Sequence, residues 1–321
     1  MPIGFGIVVE PVYGFSYKMA HKLATTAEEC KYNSFWISDH FFPDTSPDKT
    51  NCLESWTLLS AIAMATCSIK VGTLVTCNNY RNPALLAKMA TTVDEISNGR
   101  LILGIGSGWK ENEYVAYGYP FPPVKDRMDQ LEEALQIIRK LWTEQLVTFL
   151  GKHYKIHEAY HTPKPVQQPH PPILVGGSGR KRTLRIVAEY ADWCNIAYWV
   201  LDEAEELLAV LRKHCATVGR NYDEITKSMT TYAYVAKDEI QLKKHLTSLA
   251  QKHSITVEQV RNNLTKYPGA FVGLGEDVRK RYEYLVELGF THFQVKFPFP
   301  DDVEHAIRFA KEVMRPIQEK R

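Results

Sequence analysis

One rhythm constrains this chain more than any other feature. Short apolar runs alternate with amphipathic segments along its whole length. The runs fall at 3–9 (IGFGIVV), 34–38, 70–76, 101–105, 172–177, 192–197, 228–236 and 291–297. Segments with helical spacing separate them, at 16–32, 54–67, 83–97, 126–142, 180–190, 203–217, 239–265, 276–288 and 301–315. Near-continuous apolar runs point to strands buried on both faces, and hence to parallel pairing. Eight strand–helix alternations in strict order predict a closed (β/α)8 TIM barrel, α/β in class, rather than an open sheet. The expectation is a single domain over 1–321, although 321 residues would by length alone suggest two. Insertions are expected after strands four and seven. A proline-rich excursion at 145–171 is expected before strand five, with β-like pieces LVTFLG and HYKI. Asn82 is placed to cap a helix that starts on Pro83, and Gly99 to end it in the left-handed region.

The balance of charge excludes some functions. A net charge of +2 gives no reason to expect nucleic acid or acidic membrane as a partner. No apolar run approaches ~20 residues, so no membrane span is expected. The start, MPIGFGIVVE, lacks the basic region of a secretory leader. The six cysteines form no CxxC pair and no metal spacing, which suits reduced thiols in a cytoplasmic protein. No metal is expected. His153, His157 and His161 recur every four residues, but Gly151, Tyr154, Tyr160 and Pro163 argue against the helix that would align them.

A barrel places chemistry at the carboxyl ends of its strands, and three stretches qualify. WISDHFFP ends strand two, so Asp39 and His40 face the mouth. A histidine there can give or take a proton near neutral pH; the alternative is a capping aspartate beside an exposed histidine. LILGIGSGW is strand four and the loop after it. It fails as a dinucleotide fingerprint, because Trp109 stands where the third glycine belongs. Gly104, Gly106 and Gly108 either let a flat ligand approach the strand end or relieve crowding inside the barrel; both readings stand. Trp109, Asn112 and Glu113 lie on the loop above. VGGSGRKR ends strand five: Gly176, Gly177, Ser178 and Gly179 lead into a helix whose first amides suit phosphate. Arg180, Lys181, Arg182 and Arg185 add positive charge nearby. An ordinary glycine-rich connection is the alternative. Glu10, at the end of strand one, is a further possible acid.

Taken in order, SDHF, RNPALLAKMATTVDEISNGRLILGIGSGW, EYVAYGYPF, IIRKLW, GKHY, PKPVQ, PPILVGG and YADWCN resemble the luciferase-like monooxygenase superfamily. Its members are (β/α)8 barrels that use FMN or the deazaflavin coenzyme F420. The chain is most similar to the F420-dependent branch. That resemblance implies an F420-dependent oxidoreductase that transfers hydride to or from a small organic substrate. His40 would lie beside the hydride-carrying carbon. Asp39 and Thr76 would contact the deazaflavin. Thr73–Leu74 would fall at a bulge with a non-prolyl cis peptide behind the ring. Ser107, Gly108 and Asn112 would line the ring and its side chain, and Gly176, Gly177 and Ser178 would hold the phosphate. The branch's sugar-phosphate dehydrogenases carry an acidic residue where this chain has Trp109. They also carry a basic residue after strand six, where this chain reads Ala197-Tyr198-Trp199-Val200. The expected substrate is therefore apolar or aromatic rather than a sugar phosphate, held by Phe41, Trp109, Tyr198 and Trp199 with Phe42 nearby. An FMN-dependent monooxygenase and a cofactor-binding barrel without catalysis are the alternatives. A homodimer or larger homo-oligomer is expected by family analogy.

Overall fold

A computed structural model describes residues 2–252, 254–266, 269–298 and 302–320. The first residue of the helix expected at 301–315 and both chain ends lie outside the described residues.

Eight parallel strands close on themselves. In barrel order they are β1 (Gly4–Val9), β2 (Ser34–Ile37), β3 (Lys70–Thr73), with its short continuation β4 (Thr76–Cys77), then β5 (Leu101–Gly106). An antiparallel hairpin, β6 (Leu146–Leu150) and β7 (Lys155–Tyr160), occupies the excursion and forms its own two-stranded sheet. The barrel continues with β8 (Ile173–Gly176), β9 (Trp193–Ala197) and β10 (Thr226–Ala236). A further strand, β11 (Ala270–Leu274), precedes the last, β12 (His292–Lys296), which pairs with both β10 and β1. β11 was not expected. It lies within the segment after strand seven and pairs in parallel with residues 232–236 of β10, all but Tyr232 of them beyond the stretch that β9 and β12 hold.

Period-two alternation explains why these strands are apolar throughout. Phe5, Ile7 and Val9 of β1, Phe35 and Ile37 of β2, and Leu101, Leu103 and Ile105 of β5 point outward into one continuous core beneath the helices. Inward residues fill the barrel. Val8, Trp36, Ile102, Leu174 and Trp193 pack there with Leu74 and Val75, so the interior is solid, as such barrels are. Two tryptophans in that space leave little room opposite. A Cβ on Gly72 would sit 2.7 Å from the Trp36 ring, and one on Gly6 2.1 Å from Ser34 Oγ.

Helices cover the outside: α1 (Tyr17–Glu29), α2 (Ser55–Ala65), α3 (Pro83–Ile96), the short α4 (Glu111–Ala116), α5 (Val124–Thr143), α6 (Thr183–Tyr190) and α7 (Ala204–Val218). After strand seven come α8 (Glu239–Lys252) and α9 (Val257–Lys266), then α10 (Gly275–Glu287), α11 (Asp302–Phe309) and, past a π-helical turn, α12 (Arg315–Glu319). Capping follows the sequence signals. Asn82 accepts from Ala84 N at 2.9 Å with Pro83 in the first turn, and Gly99 ends α3 at φ +79°. α6 begins three residues later than expected, at Thr183, because residues 180–182 form a turn.

Candidate active site

The carboxyl ends of the strands surround a cavity of about 510 Å³, within the range of sites for small organic ligands. Its two halves differ. Strands β2 to β8 contribute Ser38, Asp39, His40, Leu74, Val75, Thr76, Gly108, Gly176 and Gly177, a wall rich in backbone and aliphatic surface. Strands β9, β10, β12 and β1 contribute Asn195, Ala197, Thr230, Lys296 and Glu10, mostly polar side chains aimed inward. Trp109 and Trp199 stand at the rim, 70% and 57% exposed.

His40 is held from behind. Its Nδ1 lies 3.0 Å from Oε2 of Glu113, a residue wholly buried on α4. The same carboxylate accepts from Tyr80 OH at 2.9 Å, from Phe41 N at 3.0 Å and from Phe42 N at 3.4 Å, and faces Lys110 Nζ at 3.2 Å. Burial alone would raise its pKa. The hydrogen bond and charge of His40, the Phe41 amide and the Tyr80 hydroxyl outweigh that and hold it at about 2. With Nδ1–H given to a carboxylate, Nε2 is the ring nitrogen left for chemistry. Glu113 is visible in the sequence as a loop residue above strand four. Nothing local marks it as the partner of a histidine 73 positions earlier.

Asp39 is committed elsewhere. Both its oxygens receive the Arg81 guanidinium, at 2.7 and 3.0 Å, and Oδ2 also accepts Cys77 N at 3.0 Å. It lines the cavity, but its strong acceptor sites are already engaged. Thr73 and Thr76 are likewise tied inward. Trp56 Nε1 donates to Thr76 Oγ1, which donates to Thr73 Oγ1, which donates to the Gly104 carbonyl, at 3.2, 2.8 and 2.8 Å. By contrast, Ser38 Oγ is buried in this wall without a hydrogen-bond partner. Such a group is costly unless a ligand meets it.

The strand-three bulge carries a non-prolyl cis peptide at Leu74–Val75, one bond beyond the expected Thr73–Leu74. It presents Leu74 and Val75 to the cavity. The bulge also decides between the two readings of the glycine run. A Cβ on Gly104 would lie 1.8 Å from the Thr73 carbonyl oxygen. One on Gly108, at φ +75°, would lie 2.0 Å from Tyr114 OH. These glycines relieve crowding against protein atoms, and the smooth wall is a consequence.

Several expected positions do not line the cavity. Thr73, Ser107 and Ser178 sit behind or beside the wall, and Asn112 is exposed on α4. Phe41 stacks on Tyr80, Tyr117 and Tyr119 with centroids 4.4, 4.1 and 6.1 Å away, so it builds the loop rather than the mouth. Tyr198 packs edge-on against Trp199, which alone of the two reaches the cavity. Three of the four residues of the basic cluster are also spent. Arg180 pairs with Glu203 and Glu206, Arg182 with Asp129 and Glu132, and Arg185 with Glu132 and Glu189. The positive charge that sequence places near the Gly176–Gly177 loop therefore ties α6 to α5 and α7. The three histidines of the excursion do not converge. His161 binds Thr91, and His153 faces Asp126 and Asp129, whose oxygens Lys152 and Arg182 already approach.

Sequence reading flagged Glu10 on the far wall but missed its partner Lys296 and the polar residues beside it. Lys296 Nζ donates to Glu10 Oε1 at 2.8 Å. The charge of Glu10, together with burial, pushes the Tyr13 phenol up to about 12. Asn195 joins Thr230, Ser228 and Gln294 in a buried polar network. Inward alternation on β12 could have found Lys296 once its register was known.

The model of the luciferase-like monooxygenase family matches residues 4–292. An F420-dependent glucose-6-phosphate dehydrogenase of Kineococcus radiotolerans is 29% identical over 91% of this chain and 90% of its own. An F420-dependent hydroxymycolic acid dehydrogenase of Mycobacterium tuberculosis is 31% identical over 67% of this chain and 59% of its own. Among solved structures, an F420-dependent secondary alcohol dehydrogenase in complex with an F420–acetone adduct shares the fold. Its TM-score is 0.84 at 21% identity, covering 99% of each chain.

Proposed function

The chain belongs to the luciferase-like monooxygenase family, and we propose that it is an oxidoreductase moving hydride between coenzyme F420 and a small organic substrate. The relatives named F420-dependent dehydrogenases support the cofactor. The single observation that carries the chemistry is His40, with Nδ1 bound to buried Glu113 and Nε2 left for the cavity.

The residues present fit such a cofactor. The wall of Leu74, Val75, Gly108, Gly176 and Gly177 offers a flat ring a surface without long side chains, and Ser38 Oγ offers it an unmet hydroxyl. When bound, the deazaflavin supplies two-electron hydride chemistry at a ring carbon. The chain's own part is to orient, to exclude water and to handle the proton. His40 takes the hydroxyl proton through Nε2 when a carbinol is oxidised, and returns it in the reverse direction. Glu113 keeps the proton on Nδ1 throughout and stabilises the imidazolium.

Within this reading the substrate has an apolar or aromatic body and is not a sugar phosphate. Trp109 and Trp199 offer aromatic faces at the rim. The two cations among the described lining residues are each matched by carboxylates, Lys110 by Asp44 and Glu113, and Lys296 by Glu10. A phosphate dianion would find no surplus positive charge there. Among the described residues no helix is long and apolar enough to cross a membrane. The six free cysteines suit a cytoplasmic setting, and a homo-oligomer completes the proposal.

Titration of the protein with F420 and with FMN, followed by ring absorbance, tests the cofactor. Tight binding of F420, with hydride transfer lost in a His40→Ala variant that still binds it, is the expected result. The family model also covers oxygen-using enzymes, which keeps FMN as the rival. Preferential binding of FMN, with rapid reoxidation in air coupled to substrate oxygenation, would establish that rival instead. Binding of neither cofactor would end the enzyme reading.

A further inference from the structure

We propose that the Glu10–Lys296 pair is the substrate's polar anchor, selecting a neutral substrate with a hydroxyl beside the reacting carbon and rejecting an anion in its place. This rests on the hydride-transfer reading above and names the substrate class that the far wall recognises.

The pair sits where such an anchor is needed. Glu10 follows β1 and Lys296 ends β12, its neighbour in the barrel, and both line the cavity. β2, which leads into His40, is the next strand round. The ion pair therefore lies on the seam between the smooth wall and the polar one. Both side chains keep some exposure, 15% for Glu10 and 22% for Lys296, although they bond to each other at 2.8 Å.

A paired lysine still has two N–H donors, and a paired carboxylate still has acceptor lone pairs. Together they present donor and acceptor side by side, the complement of a hydroxyl, which gives one hydrogen bond and takes another. An anion would gain from Lys296 but would also stand near the Glu10 charge, so most of its attraction is cancelled. Thr230 and Asn195 extend the same polar arc. They are uncharged and their hydrogens are given within the barrel network, so they add no affinity for an anion, while Thr230 Oγ1 keeps acceptor capacity toward a hydroxyl. An ion pair whose only task was to tie β1 to β12 would not need to face the cavity; the strands already share a backbone ladder.

The test uses three substrates with one ring: cyclohexanol, trans-cyclohexane-1,2-diol and trans-2-hydroxycyclohexanecarboxylate. Steady-state turnover with F420 is measured beside calorimetric binding of each compound to the F420-loaded protein. The wild type should bind and turn over the diol with the lowest KM and the carboxylate with the highest. Glu10→Gln leaves Lys296 unmatched and should raise kcat/KM for the carboxylate relative to the diol by roughly tenfold, a change of about 1.4 kcal/mol. Lys296→Met should lower the ratio of diol to cyclohexanol binding about as much. Parallel changes for all three compounds, or a change in melting temperature with unaltered ratios, would reduce the pair to a structural tie. A wild type that prefers the carboxylate, or binds none of the three, would also overturn the proposal. Absence of turnover with F420 alongside the expected binding ratios would instead sink the hydride-transfer reading and leave the anchor standing.

Discussion

Replacing Glu113 with Gln removes one buried negative charge and keeps the side-chain shape. In the folded protein this carboxylate accepts from His40, Tyr80 and two backbone amides and faces Lys110. Its pKa falls from 4.5 to about 2, which corresponds to roughly 3 kcal/mol of stability at neutral pH. The folded pKa is depressed, so this contribution is full above about 4.5. It shrinks by ~1.4 kcal/mol per pH unit below that and vanishes as pH falls through about 2. Urea unfolding of wild type and Glu113→Gln should therefore differ by about 3 kcal/mol at pH 7 and by about half as much near pH 3.4. The amide also turns N–H groups toward donors and no longer fixes the Nδ1 proton. The kcat should drop by ~10–100-fold while F420 affinity changes by less than about twofold. A stability difference that is absent at pH 7, or that stays constant from pH 7 to 3, would refute the carboxylate's role as an ionised hub. Unchanged kcat would refute its hold on His40.

Gly104→Ala would bring a Cβ to 1.8 Å from the Thr73 carbonyl; a loss of about 1–3 kcal/mol in urea unfolding is expected, and a neutral substitution would show that the bulge yields freely. His292 is buried against Ser34 Oγ at 2.8 Å, and burial, aided by the Lys70 charge, lowers its pKa from 6.5 to about 3. Its neutral form therefore contributes stability above about 6.5, and this is lost as acid protonates the unfolded chain: about 2 kcal/mol by pH 5. His292→Asn should flatten that part of the acid slope, and an identical slope in the variant would remove the assignment.

Architecture was the most legible part of this chain, because backbone burial writes itself into local sequence. A strand covered on both faces must be apolar throughout, and the helix between two such strands must be two-sided. β11 escaped because its run, AFVGL, is short and follows two helices, so nothing in period or composition separates it from a helix end. At the site, His40, Gly176 and Trp109 could be placed by their distance from strand ends. Glu113 and Lys296 could not, since their meaning lies in partners 73 and 286 positions away. Charge was the most misleading signal. Four basic residues in six positions looked like a seat for an anion, yet three of them answer carboxylates on neighbouring helices that no local window contains.

The length of β10 has an outcome of its own. Its first seven residues, 226–232, close the ring, while its last four, 233–236, extend past it and pair with β11 alone. The described residues between β10 and α10 are thus hung on a projecting beam rather than woven into the hoop. A loop graft or an evolutionary exchange at that point can reshape the neighbourhood of the mouth and leave every rung of the closed ladder in place.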